Sequence, residues 1–108
     1  MDVPAGMEVI PNGWEEPVRG YPLGHDCWWM LEVDQDGNEV GIVHWHRDPV
    51  SGKIHAGGAL FDTPAGRAVH PTAAHWQLVS REPLTLAPSL LCSCGHHGHI
   101  QEGQWVPC

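Results

Sequence analysis

The sequence predicts a mainly β protein: a small single-domain antiparallel fold with an extended N-terminal arm. Three observations predict it. Thirteen glycines and ten prolines are spread along 108 residues, and the stretches free of both reach only about a dozen residues, too short for long helices. The runs between them are short, rich in Val, Ile, Leu and Trp, and tend to alternate in polarity as half-buried strands do. The length allows one hydrophobic core and no second.

Residues 1–24 carry Pro4, Gly6, Pro11, Gly13, Pro17, Gly20, Pro22 and Gly24, with Trp14 and Tyr21 as the only large anchors. This composition predicts an extended arm over a domain spanning 25–108. CWWMLEVDQDGNEVGIVHWH then places two β-rich runs around DQDGN. Its Asp36-Gly37 pair suits the positive φ of a hairpin turn. In the second arm Val40, Ile42, His44 and His46 share one face, because strand side chains alternate.

A turn at DPVSGK leads to a third strand, IHAGGALF, in which Gly57 and Gly58 mark a bulge or a close approach. DTPAGRAVHP has the form of one short helix, with Asp62 or Thr63 as N-cap and Pro64 at the first helical position. HWQLVS follows as a fourth strand and LTLAPSLLC as a fifth interrupted by Pro88. HGHIQEGQWVP closes the domain as a hairpin turned at QEG. No repeat or low-complexity segment interrupts this order.

The charge narrows the function classes. Five basic residues against thirteen acidic ones give a net charge of −8, and the basic residues stand singly. Phosphate backbones and anionic lipid are poor partners for such a surface; a protein partner with a basic face is a better one. No apolar run approaches the roughly 18 residues of a membrane span, and MDVPAGMEVIPNG lacks the basic start and apolar run of a signal peptide. The expected location is cytoplasmic, where thiols stay reduced and four cysteines beside nine histidines point to metal rather than disulfides.

The densest chemistry is CSCGHHGH, residues 92–99. Zinc takes four ligands, usually thiolate or imidazole, in a tetrahedron. Cys94 and His97 enclose Gly95 and His96, the two-residue spacing of a metal knuckle. Cys92 precedes Cys94 by two positions, about two strand rises in a regular strand, so both ligate one ion only if the chain bends. Cys27 is the candidate that ties the start of the domain to its end, with His25 or Cys108 as alternatives for the fourth position. The expected Zn2+ set is therefore Cys27, Cys92, Cys94 and His97, stapling the β domain. His44, His46 and His55 fit half-buried, hydrogen-bonded rings in strands; His70 and His75 fit the surface; His96 and His99 stand beside the knuckle as outer-sphere or proton-shuttling groups.

Ser89 lies three residues before Cys92, behind a proline that restrains its backbone. Chemistry alone reads it as a turn serine, since a nucleophile also needs a base and an oxyanion donor. The stretch from His75 to Cys108, HWQLVSREPLTLAPSLLCSCGHHGHIQEGQWVPC, however resembles a small bacterial and phage zinc-binding family linked to bacterial ubiquitin-like, Bub-type operons, the BubE-like peptidases. The likeness rests on a tryptophan strand, LTLxPS, a CGxHG-type knuckle, an aliphatic residue and a Gly-Trp hairpin. It implies a peptidase or isopeptidase that processes a ubiquitin-like protein or removes it from targets. It points to Ser89, Cys94 and His97 as site residues, with Cys27 as the upstream ligand.

Two forms of this hydrolase follow. With catalytic zinc, an open coordination position activates water and Ser89 steadies the intermediate; with structural zinc, Ser89 is the nucleophile and His96, His97 or His99 its base, so that His97 is either ligand or base. The alternative is a non-enzymatic, zinc-stabilised protein-interaction module, of phage origin in some members, whose six tryptophans supply core and binding surface.

Overall fold

The structure is a computed structural model and describes residues 5–11, 16–91, 95 and 97–108. It is mainly β. A seven-stranded sheet runs in chain order through β1 (Glu8–Ile10), β2 (Val18–Gly24), β3 (Cys27–Val33), β4 (Glu39–Arg47), β5 (Ile54–Phe61), β6 (His75–Arg81) and β7 (Leu84–Ala87). A second sheet joins β8 (Leu90–Leu91), β9 (His97–Gln101) and β10 (Gln104–Pro107), with β9 central. One short helix, α1 (Pro64–Val69), connects β5 to β6. No helix among the described residues is long and apolar enough to cross a membrane.

The hairpin at DQDGN forms as its turn chemistry predicts. Asp34 Oδ1 accepts the amides of Asp36 and Asn38, both at 2.9 Å, and Gly37 takes a φ of +84°. The same Asn38 amide, assisted by its side chain and by the Asp36 and Gly37 amides, holds the Asp34 carboxyl below the usual carboxylate range. The Gln101–Gln104 turn uses positive φ at Glu102 and Gly103. Of the two candidate caps for α1, Thr63 is the N-cap: its Oγ1 accepts the Gly66 amide at 3.1 Å, and Pro64 occupies the first turn.

Three features depart from the sequence reading. Within the segment expected as an arm, residues 8–10 and 18–24 are strands of the sheet itself. They are anchored by Ile10 and Leu23, each about 1% exposed. The sheet is mixed rather than wholly antiparallel, because α1 carries the chain back so that Leu60 and Phe61 pair in parallel with His75 and Trp76. Of the bulge and the close approach offered for Gly57 and Gly58, only the bulge is missing: β4 and β5 pair without a register shift from Gly41 opposite Leu60 to Arg47 opposite Ile54, and Gly57 lies close against the His44 ring.

The core lies between the two sheets. Leu23, Trp29, Ile42, Phe61, Leu84 and Leu86 of the large sheet meet Leu90, Ile100 and Trp105 of the small one, and Cys27 belongs to the same buried cluster. Each fully buried aliphatic or phenyl side chain contributes on the order of 2 kcal/mol of transfer free energy. That packing fixes how the small sheet, and the residues on it, sit against β3 and β4.

Candidate functional site

Two polar constellations stand out. The first joins the β7–β8 link to β9. Pro88 has no amide to continue a ladder, so β7 stops at Ala87 and pairing resumes at Leu90, leaving Ser89 between the two sheets. Trp76 Nε1 donates to the Ser89 carbonyl at 3.2 Å and anchors that link from β6. Opposite, Leu91 pairs with His97 and Leu90 with Gly98. Ser89 Oγ consequently stands 2.8 Å from His97 Nε2. His97 is held by its own backbone as well, its carbonyl accepting the Cys108 amide at 2.9 Å.

That spacing lies within the range of a serine nucleophile and its base. Ser89 is half-buried and His97 is exposed. Ser89 and His97, both singled out in the sequence, are brought together.

The second constellation is buried. In the β3–β4 hairpin Cys27 pairs directly with His46, and Trp29 with His44, so that both imidazoles share a face with the thiol. Cys27 Sγ is 2.8 Å from His46 Nδ1, and His46 Nε2 is 2.8 Å from His44 Nδ1. Cys27 Sγ also lies 3.2 Å from the His25 carbonyl, to which a thiol donates. The Trp105 ring stands edge-on to His46 with centroids 4.5 Å apart.

Gly57 makes room for this string. It lies opposite His44 on β5, and a Cβ added there would stand 2.9 Å from His44 Cε1 and 3.0 Å from Nε2. Burial pushes the His44 imidazole down to about 4, so it is neutral at physiological pH.

The expected zinc ligands divide between these places. Cys27 is in the buried string; His97 is on the surface with Ser89; Cys92, Cys94 and the neighbouring His96 lie outside the described residues. Among the described residues no group of three or more His, Cys, Asp or Glu side chains is placed to enclose a metal ion. Cys27 and His46 nevertheless form a donor pair of the soft-sulfur and imidazole type that zinc prefers. His25 and Cys108, the alternative ligands, are both exposed. His46 and His44 are what the sequence reading undervalued. Their alternation on one strand was visible, whereas the register that sets them beside Cys27 was not.

His70 is exposed as expected, while His75 is half-buried and its enclosed Nε2 has no hydrogen-bond partner among the described residues. No family model, curated protein or solved structure matches the chain.

Proposed function

We propose that the protein is a serine-type hydrolase acting on a peptide or isopeptide bond, with Ser89 as nucleophile and His97 as general base. The observation that carries this reading is the 2.8 Å contact between Ser89 Oγ and His97 Nε2 at an accessible junction of the two sheets. In the reaction Ser89 Oγ attacks the scissile carbonyl while His97 Nε2 takes the hydroxyl proton. The protonated imidazole returns that proton to the leaving amine, and water then releases the acyl group from Ser89 by the same route in reverse. The resemblance of residues 75–108 to BubE-like peptidases supports a ubiquitin-like protein as the substrate, cleaved from a precursor or a conjugate. The acidic surface suits a partner with a basic face.

Of the two cysteine–histidine and serine–histidine pairs, only the second can receive a substrate. Cys27 and His46 are 2% and 0% exposed and are surrounded by core. Their place is structural, with zinc held by Cys27, Cys92, Cys94 and one imidazole; such an ion cross-links the first hairpin to the segment before β9 and takes no part in bond breaking.

The test is labelling and turnover. A serine-directed fluorophosphonate should modify Ser89 in the wild type and leave Ser89→Ala unmodified. Ser89→Ala and His97→Gln should each slow cleavage of a ubiquitin-like fusion by at least about 10³-fold while leaving the fold intact. Cleavage by Ser89→Ala at the wild-type rate would reduce Ser89 to a turn residue.

A further inference from the structure

We infer that the acyl side of the substrate binds as an added strand along the open edge of β8, where its third residue before the scissile bond pairs with the Leu91 backbone and lies against the Leu91 side chain. This rests on the reading of Ser89 and His97 as the reacting pair and names the kind of segment they act on: an extended tail, apolar at that third place.

The register of the small sheet fixes which way the β8 backbone points. The Cys108 amide donates to the His97 carbonyl at 2.9 Å, and Pro107, which has no amide proton, lies opposite Gly98. Hydrogen-bonding direction alternates along a strand, so His97 turns its backbone groups to β10 and Gly98 turns its own to β8. Gly98 therefore exchanges bonds with Leu90, whereas Leu91, opposite His97, directs its N–H and C=O away from β9. Among the described residues no strand pairs with that outer edge and no backbone group bonds to Leu91 there.

The remaining edges are guarded in ways that this one is not. Beside β7 the Leu84 carbonyl accepts the Gly103 amide at 2.8 Å, and Thr85 Oγ1 accepts the Glu102 amide at 3.0 Å. Pro107 deprives β10 of a donor, and β1 is three residues long and opens with the charged Glu8. Cover, proline and charge all discourage an added strand. β8 is short, but its two leucines supply none of these. Leu90 faces the core at 1% exposure, so Leu91 points outward, where it is 71% exposed. It shares that face with His97, in the non-hydrogen-bonded kind of pair whose side chains stand closest.

Ser89 sets the direction of the added strand. Its hydroxyl meets His97 on this same face, two residues before Leu91. A chain whose scissile carbonyl sits at Ser89 and whose acyl side runs past Leu91 is antiparallel to β8, with the third residue before the bond opposite Leu91. That residue donates its N–H to the Leu91 carbonyl and accepts the Leu91 N–H, and its side chain falls on the same face as that of Leu91. The acyl side is main chain in a peptide and in an isopeptide alike, whereas the leaving side of an isopeptide is a lysine side chain without backbone donors. Recognition through main-chain bonds to a sheet edge takes an extended segment, with specificity left to the side chain that meets Leu91.

The experiment uses the full chain and two serine-directed probes, with the rate of Ser89 labelling read by mass spectrometry. A small alkyl fluorophosphonate reports the reactivity of Ser89 alone. An acetylated peptide diphenyl phosphonate, with leucine as its third residue counted from the phosphorus and alanine elsewhere, adds the strand. Replacing that leucine by N-methyl-leucine removes the bond to the Leu91 carbonyl and should slow labelling at least about 5-fold. Replacing it by glycine removes the apolar contact and should slow labelling about 3- to 10-fold. Leu91→Pro removes the outward amide and keeps both bonds between Leu90 and Gly98. It should lower the ratio of the peptide-probe rate to the fluorophosphonate rate at least about 5-fold. The N-methyl comparison is made on the unmutated protein and decides the matter even if Leu91→Pro disturbs the fold. Equal rates for the leucine and N-methyl-leucine probes, or labelling by the fluorophosphonate with none by the peptide probe, overturn the added strand and leave the hydrolase reading standing. A Ser89 that neither probe labels removes both.

Discussion

His46 and His97 each stand 2.8 Å from the side-chain atom of a nucleophilic residue, the first from a thiol and the second from a hydroxyl. Their surroundings are opposite. The Cys27–His46 pair is enclosed by core, so whatever it binds must be small and resident. The Ser89–His97 pair lies where a sheet ends and a second begins, held through backbone atoms by Trp76 and Cys108, with its reactive atoms facing an accessible surface. Equal distances therefore come with unequal access and with different backbone anchors.

If that contrast is right, substitutions in the two places should fail in different ways. The largest effect separates activity from stability. Ser89→Ala should lose at least about 10³-fold in turnover with an unchanged unfolding midpoint, whereas Cys27→Ser should cost about 2–4 kcal/mol of stability, because a buried polar hydroxyl replaces a packed sulfur and a candidate ligand is lost. Chemical denaturation and kinetics on both variants check this. A stable but inactive Cys27→Ser would move the chemistry to the buried pair.

A somewhat smaller effect should appear with pH. The His44 imidazole is held at about 4 in the folded chain by burial, below the ordinary value of 6.5. Below pH 6.5 the unfolded chain therefore takes up a proton that the native state refuses until about pH 4. Stability from this group is complete above 6.5 and declines as pH falls through that window, by on the order of 3 kcal/mol in all. Urea unfolding at a series of pH values would show the decline, and NMR should find the His44 ring neutral at pH 5.5. An imidazole that titrates near 6.5 there would mean that the string is open to water.

The smallest expected effect probes the space beneath that ring. Gly57→Ala places a methyl about 2.9 Å from His44 Cε1, so the ring must shift or the strands separate, at a cost of about 1–3 kcal/mol. Gly58→Ala, whose added Cβ would meet nothing closer than Ile42 O at 3.8 Å, is the matched control and should cost much less. Equal costs would show that Gly57 serves backbone conformation rather than His44.

Much of this architecture was legible in the chain. Pro and Gly punctuation marked the strand ends, Asp36-Gly37 and QEG marked two turns, Thr63-Pro64 marked the helix start, and Pro88 marked the break before Ser89. Each of these is a local steric or hydrogen-bonding requirement that a residue carries wherever it is placed. Ser89 was singled out by the resemblance of residues 75–108 and His97 by that resemblance and its spacing from Cys94; their meeting follows from the pairing of β8 with β9.

What only the tertiary structure decided is register and access. Val33 pairs with Glu39 at the hairpin turn, and an unbroken ladder from there would set Cys27 opposite Trp45. The shift between Glu32 and Val33 advances the pairing by one residue and brings His46 there instead. Because strand side chains alternate, that single residue determines whether the thiol faces an imidazole or an indole. The parallel β5–β6 pairing and the burial of His44 and His46 between two sheets likewise depend on contacts between residues distant in sequence. The chain by itself determined which groups are present and where it can turn; long-range packing decided which of them meet, and which are left within reach of a substrate.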